Sequence, residues 1–242
     1  MSAFLSGCSR EPAPPTVVIE AEPTISAVIN TLLDGGGSYR DVPFSEVIEA
    51  SSGKRVIPLD PNDELDAQIV DEISLALDKC LVDFNQPESE IRRKSRISDA
   101  GALFQKKFEA LMNAAPGFSC ERPRNRQGNL QRSGYPDLRL VHRESGRVIY
   151  LVPKLVEENS LNSSLQTFYF TPRGDAGKVL DDAHHLVIGI EHDGRSGDWS
   201  FPRWLLVDLA NFRVRLKAEF QASNKDLYMS ELVIRKSRKV SQ

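Results

Sequence analysis

The segment from His185 to Glu191 constrains the fold more than any other part of the chain. Its sequence, His-Leu-Val-Ile-Gly-Ile-Glu, is a nearly continuous apolar run. A strand with apolar residues at almost every position is typical of one that is covered on both faces. The segment therefore predicts a central strand of a buried sheet rather than an edge strand.

Two amphipathic helices are predicted upstream of this strand. Apolar residues recur at three- and four-residue steps from Asp63 to Phe84, which is the spacing of one buried helix face. A second helix is expected to start with Ser98 or Asp99 as its N-cap and to stop at Pro116-Gly117. With 242 residues, 40% of them apolar, the chain is long enough to bury a sizeable core.

Beyond the second helix the apolar period changes from helical to alternating. Alternation in 137–142 and in 147–152, with the turn Glu144-Ser145-Gly146 between them, predicts a β-hairpin. The segment Leu161–Phe170 fits a helix or a strand. The further predicted strands are Phe118–Glu121, Trp204–Asp208, Phe212–Leu216 and Glu231–Ile234. The fold class is therefore α/β, with a central mixed β-sheet of about five or six strands flanked by helices.

The N-terminal segment is predicted to lie outside this domain. Residues 9–23 contain four prolines and little to bury, so residues 1–24 are expected to form a flexible tail or linker. Residues 25–242 are expected to form a single α/β domain. It would begin with a short helix at Ile25–Leu33, which the glycines at 35–37 end.

The overall charge of the chain does not attract nucleic acid. The formal net charge is −3 and the pI is near 5.9, so binding to nucleic acid would need a local basic patch. No segment approaches the roughly 20 apolar residues of a membrane span. The three cysteines lack the spacing of a zinc site, and Cys80, on an apolar helix face, is expected to be a buried structural thiol.

Cys8 gives rise to a separate hypothesis. The sequence Leu5-Ser6-Gly7-Cys8 resembles the lipobox of bacterial lipoproteins, in which the cysteine becomes the lipidated first residue. The residues before it contain neither a basic region nor the apolar run of about 7–15 residues that export requires. The resemblance therefore implies a lipid anchor only if the true start lies upstream. It leaves open an alternative function, a bacterial envelope lipoprotein with a non-catalytic binding or structural role.

A short motif lies on the predicted hairpin. Pro136-Asp137 opens one arm and Lys154 ends the other, after a helix and a strand and before the buried strand. This order resembles the PD-(D/E)xK superfamily, which includes many restriction endonucleases, over residues 98–193. The resemblance implies that two acids hold a divalent metal, Mg²⁺, and that the lysine assists the attacking water in phosphodiester hydrolysis.

The resemblance assigns roles to individual residues. It makes Asp137 the first acid and Lys154 the lysine, but the second acid position is Val152, which offers a metal no oxygen. Glu109 on the preceding helix matches a position where many members of the superfamily add an acid, and Glu157 or Glu158 could substitute for the lost one. The alternative is purely structural: Asp137 starts a strand, Val152 packs in the core and Lys154 caps an exposed end.

An arginine-rich loop precedes the motif. Its side chains could bind phosphates and base edges, and Gln166 could reach a phosphate from the segment after the hairpin. A solvated loop is the alternative. The predicted nucleic-acid-binding residues are Arg122, Arg124, Arg126, Arg132 and Gln166.

These patterns predict a restriction-endonuclease-like protein. It would hydrolyse phosphodiesters with a metal, or it would be a catalytically degenerate nucleic-acid-binding relative because Val152 replaces the acid. A nuclease would be cytoplasmic, whereas the lipoprotein alternative places the chain in the cell envelope. The sequence leaves the oligomeric state, the nucleic acid and the cleavage specificity open.

Overall fold

The computed structural model describes residues 40–131, 133–164, 167–217, 223–227, 229, 232, 234 and 235. Two compact units are present: Asp41–Leu216, and residues 1–40 with 217–242. In the second unit the described helix is α4 (Asn224–Leu227), and its residue Asp226 exchanges hydrogen bonds with the preceding Ser223. The predicted tail and the helix Ile25–Leu33 lie outside the described residues, as do positions 231 and 233 of the last predicted strand, so these expectations and the domain boundary stay predictions.

A five-stranded mixed sheet forms the centre of the larger unit. Its order is β2-β3-β4-β5-β6, and all neighbours are antiparallel except β4 and β5. The strands are β2 (Phe118–Glu121), β3 (Leu138–His142), β4 (Val148–Glu157), β5 (His184–His192) and β6 (Trp204–Asp208). The predicted α/β class with a mixed sheet is confirmed, and the apolar run at 185–191 is the parallel partner of β4, with neighbours on both sides.

Two helices cover one face of this sheet. Helix α2 (Glu64–Phe84) begins where predicted, because the Asp63 carboxylate accepts hydrogen bonds from the amides of Leu65 and Asp66. Helix α3 runs from Ile97 to Ala114. The core shared by the helices and this face includes Ile73, Leu77, Phe104, Phe108, Leu140, Leu151 and Ile188. We call it the helix-covered face.

The start of helix α3 differs from the prediction. Its N-cap is Arg96 rather than Ser98 or Asp99, and no side chain caps it. Asp99 lies instead in the first turn, where its carboxylate accepts a hydrogen bond from the Arg96 guanidinium at 3.2 Å. A carboxylate in the first turn stabilises a helix whether or not it is the cap, so the acid indicated the helix terminus correctly but not its first residue.

The opposite face packs against elements that the sequence predicted only in part. Helix α1 (Phe44–Ser52) follows β1 (Val42–Pro43), which pairs with β7 (Arg213–Val214) in a separate two-stranded sheet. The predicted strand Phe212–Leu216 is therefore shorter than expected and does not join the main sheet. The rings of Tyr135, Phe168, Phe170 and Phe212 surround the fully buried Phe44 edge to face. We call this side the aromatic face.

The hairpin of β3 and β4 ends abruptly on its open side. The last paired residues are Leu138 and Leu151, and two positions further along the same register Pro136 would stand opposite Pro153. Neither proline has an N–H to donate, so the ladder stops and β4 continues with β5 as its partner. Strand β3 therefore leaves β4 just before Val152 and Lys154.

The crossover from β4 to β5 contains little regular structure. It has single 3₁₀ turns at Glu158–Ser160 and Gly174–Ala176. Of the segment Leu161–Phe170, predicted as a helix or a strand, the described residues form neither. Among the residues described, no helix combines the length and the apolar character that crossing a bilayer would need.

Candidate active site

Asp137 stands immediately before strand β3. The pairing of Leu138 with Leu151 places it next to Val152, and its amide donates a hydrogen bond to the Leu151 carbonyl at 3.2 Å. The hairpin thus brings the two motif positions together, as their spacing predicted. The side chain of Asp137 is half-buried, so this carboxylate is only partly hydrated.

Three cationic side chains act on the Asp137 carboxylate. Burial raises its pKa above the ordinary value, and the charges of Lys154, Lys178 and Arg122 work in the opposite direction. Burial has the larger effect because removing a carboxylate from water disfavours its charged form. One carboxylate beside three cations leaves the site with an excess of positive charge.

Lys178 belongs to this site although it lies far from the motif in sequence. Its side chain is almost completely buried, and its Nζ donates a hydrogen bond to the Pro136 carbonyl at 2.8 Å. Burial lowers the pKa of Lys178, Asp137 raises it, and Arg122 and Arg173 lower it further. No motif or period marks Lys178 in the sequence, because it sits in an irregular stretch between two strands.

A buried hydrogen-bond network holds the segment after Lys178 against the sheet. The hydroxyl of Tyr150 donates to Asp181 at 2.6 Å and accepts from the amides of Leu180 and Asp181 at 2.9 and 3.2 Å. Arg139 adds two hydrogen bonds to the Asp181 carboxylate. The two strands of the hairpin therefore fix the loop that carries Lys178.

Tyr135 fixes the other side of the motif. Its hydroxyl shares a hydrogen bond of 2.6 Å with Nδ1 of His185, and the two rings are stacked. Burial lowers the pKa of His185 to about 3, so the imidazole is neutral at physiological pH. His184 points to the other side of the strand, where its Nε2 lies 3.2 Å from Asp66 on α2. Both histidines therefore serve packing and positioning.

The donor set around Asp137 does not fit Mg²⁺. Val152 is 4% exposed and presents only hydrocarbon, whereas Mg²⁺ requires hard oxygen ligands. Within the described ranges no group of three or more His, Cys, Asp or Glu side chains is arranged to hold a metal. One carboxylate surrounded by cations attracts an anion better than a divalent cation.

The other acids proposed for the metal site have neighbours of their own. Glu109 is on α3, which packs on the helix-covered face, and its charge helps burial to raise the pKa of Cys120 to about 12. Glu157 ends β4 beside Gly194, and Glu158 acts on Arg203. The pairing of Glu109 with Asp137 in one site stays a prediction.

The arginine loop is ordered by its own hydrogen bonds. The buried side chain of Asn125 accepts from the amides of Gln127 and Asn129. Arg124 donates to Gly128 within the loop, whereas Arg126 donates to the Ser52 carbonyl at the end of α1. Arg122 alone of the described loop arginines is among the charges acting on Asp137. Arg132 and Gln166 lie outside the described residues.

Two comparisons with known proteins match most of the chain. The model of the type II restriction enzyme MjaV family matches residues 37–231. One relative is the type II restriction enzyme MjaV of Methanocaldococcus jannaschii, which is 26% identical over 203 residues, or 80% of this chain and 87% of the relative. The matched region includes the whole central sheet and every described residue that acts on Asp137.

Proposed function

Because the chain belongs to the type II restriction enzyme MjaV family, we propose that it is a restriction-endonuclease-like protein that binds DNA at Asp137 and Lys154 but cleaves it poorly. The family supports a nuclease framework and DNA as the ligand. The site carries the proposal further, since its charges favour a phosphate and its donor set disfavours the metal that the superfamily resemblance implies.

The burial of Val152 beside Asp137 is the observation on which impaired cleavage rests. Hydrolysis of a phosphodiester needs a water made more acidic and a counter-charge for the developing oxyanion, both of which a metal between two carboxylates supplies. A valine removes one of those carboxylates. The residues that remain can hold and orient the phosphate, but they do not assemble the metal site.

Binding does not depend on the missing acid. Lys154, Lys178 and Arg122 together outweigh the single charge of Asp137, and affinity for DNA comes mainly from cations that neutralise phosphates. The proposed protein therefore binds DNA without a divalent metal.

Restoring the acid tests the proposal. We expect Val152→Asp or Val152→Glu to bind Mg²⁺ in a calorimetric titration and to nick plasmid DNA, and the wild-type chain to do neither. Adding Asp137→Asn to either variant should abolish both gains. Val207→Asp is the matched control, since it adds an acid at an exposed position of β6. It should neither bind Mg²⁺ nor nick plasmid DNA.

Two outcomes would contradict the proposal. If the wild-type chain nicks plasmid DNA and Asp137→Asn does not, cleavage is intact and another residue replaces the second acid. Failure of the wild-type chain to bind any DNA duplex would remove the proposed ligand. A buried carboxylate can destabilise the fold, so unfolding curves must show that each variant is folded before its activity is compared.

The envelope-lipoprotein alternative rests on Cys8 alone. That residue lies outside both the matched region and the described residues, and the comparisons lend it no support.

A further inference from the structure

A cavity beside the candidate active site is lined by three cationic side chains. Arg126, Arg173 and Lys178 contribute to its wall, together with Thr171 and the end of helix α1. None of the described residues lining it is acidic. Lys178 also acts on Asp137, so the cavity and the candidate active site share a residue. We call this cavity the basic pocket.

Two of these cations lie on the same side of Gly134. Gly134 has a φ of +88°, which favours glycine, and a Cβ atom there would be in ordinary van der Waals contact with both side chains, 3.8 Å from Nε of Arg173 and 3.9 Å from Cε of Lys178. Arg173 and Lys178 therefore both lie next to this turn. Arg126 is held nearby, because its amide donates to the Gly177 carbonyl and its guanidinium to the Ser52 carbonyl.

The cations of the basic pocket repel one another. The charges of Arg173 and Arg122 both act to lower the pKa of Lys178, in addition to the effect of burial, and only Asp137 opposes them. Arg126 and Arg173 are exposed at the mouth. An anion between these side chains would relieve the repulsion and would accept hydrogen bonds from a guanidinium fork and an ammonium.

We infer that a backbone phosphate of DNA binds at the mouth of the basic pocket, adjacent to the phosphodiester at Asp137. The inference rests on the proposed function and extends it to residues that no motif marks. Lys178 links the two positions, because it bonds the Pro136 carbonyl next to Asp137 and also lines the pocket. The pocket would fix the register of the duplex without reading its sequence.

Binding of a DNA duplex to the full chain in EDTA tests this inference. We expect Arg173→Ala and Lys178→Met each to weaken binding at least about tenfold, the effect of losing one charge-assisted hydrogen bond. Between about 50 and 200 mM salt, the slope of log K against log salt should fall in magnitude by about 0.9 for each variant. The matched controls, Arg143→Ala and Lys79→Met, remove exposed cations from other elements and should change neither quantity.

The outcomes separate this inference from the proposed function. If the wild-type chain binds DNA and both variants bind as tightly with an unchanged salt slope, the basic pocket is not a phosphate site, whereas the proposed function stands. If the wild-type chain binds no DNA, both fail. Should Lys178→Met not fold, Arg173→Ala decides alone, because its side chain is exposed.

Discussion

Val152 stabilises the sheet at the position where the resemblance to the PD-(D/E)xK superfamily implies an acid. Burying a valine side chain contributes about 1.5 to 3 kcal/mol, and β-branched residues pack well on a pleated surface. An aspartate there would lose this contribution and would also repel Asp137. At this position, stability of the strand and the chemistry of a metal site make opposite demands on one residue.

Asp137 should destabilise the folded protein at neutral pH. Its pKa is raised in the fold, so the folded chain loses stability as the pH rises from the ordinary pKa of an aspartate through the raised value. Asp137→Asn removes that loss. We expect the variant to be more stable than the wild type at pH 7 and to lose this advantage below the ordinary pKa.

Denaturant unfolding of both proteins across this pH range measures the effect. Asp71→Asn, an exposed change on α2, is the matched control. If Asp137→Asn is more stable than the wild type by the same free energy of unfolding at acid and neutral pH, ionisation of Asp137 is not the cause of the difference.

Among the elements, the crossover between β4 and β5 is held in part by one buried hydroxyl. Tyr150 is fully buried and is the acceptor for two amides of that crossover. Tyr150→Phe leaves those amides without their acceptor and removes one donor to Asp181, which keeps its bonds from Arg139; the change should cost about 1 to 3 kcal/mol of unfolding free energy. It should also weaken DNA binding, because Lys178 lies in the same segment.

Unfolding curves and DNA titrations on one preparation check both effects. A loss of unfolding free energy below about 0.5 kcal/mol would show that the Tyr150 hydroxyl does not hold the crossover in place. Unchanged DNA binding in a destabilised variant would show that the network stabilises the fold without positioning Lys178.

At the scale of the whole molecule, a net charge of −3 coexists with a local excess of positive charge. Long-range attraction to DNA is therefore weak, and binding depends on short-range contacts. Contacts by Arg122, Lys154, Arg173 and Lys178 predict a slope of log K against log salt of roughly −3 to −4 in the absence of metal.

Titration of a duplex at several salt concentrations in EDTA measures this slope. A slope near zero, or binding that appears only when Mg²⁺ is added, would contradict a binding site built from cations.

The central sheet, its two helices and the hairpin that carries the motif could be predicted from sequence. Apolar period is a local property, and it assigned one buried face to 63–84 and two buried faces to 185–191 because each element buries one side or both. Alternation of apolar residues predicted the hairpin, and with it the approach of Asp137 to Val152.

The surroundings of Asp137 could be known only from the folded molecule. Lys178 and Arg173 lie in a crossover without period, and this segment is positioned by distant partners such as Tyr150 and the Pro136 carbonyl. Helix α1 was likewise not predicted, since its burial depends on aromatic rings from four other segments. Local patterns specify which side of an element is buried, but the contacts of an irregular segment are set by long-range hydrogen bonds and packing, which leave no period in the sequence.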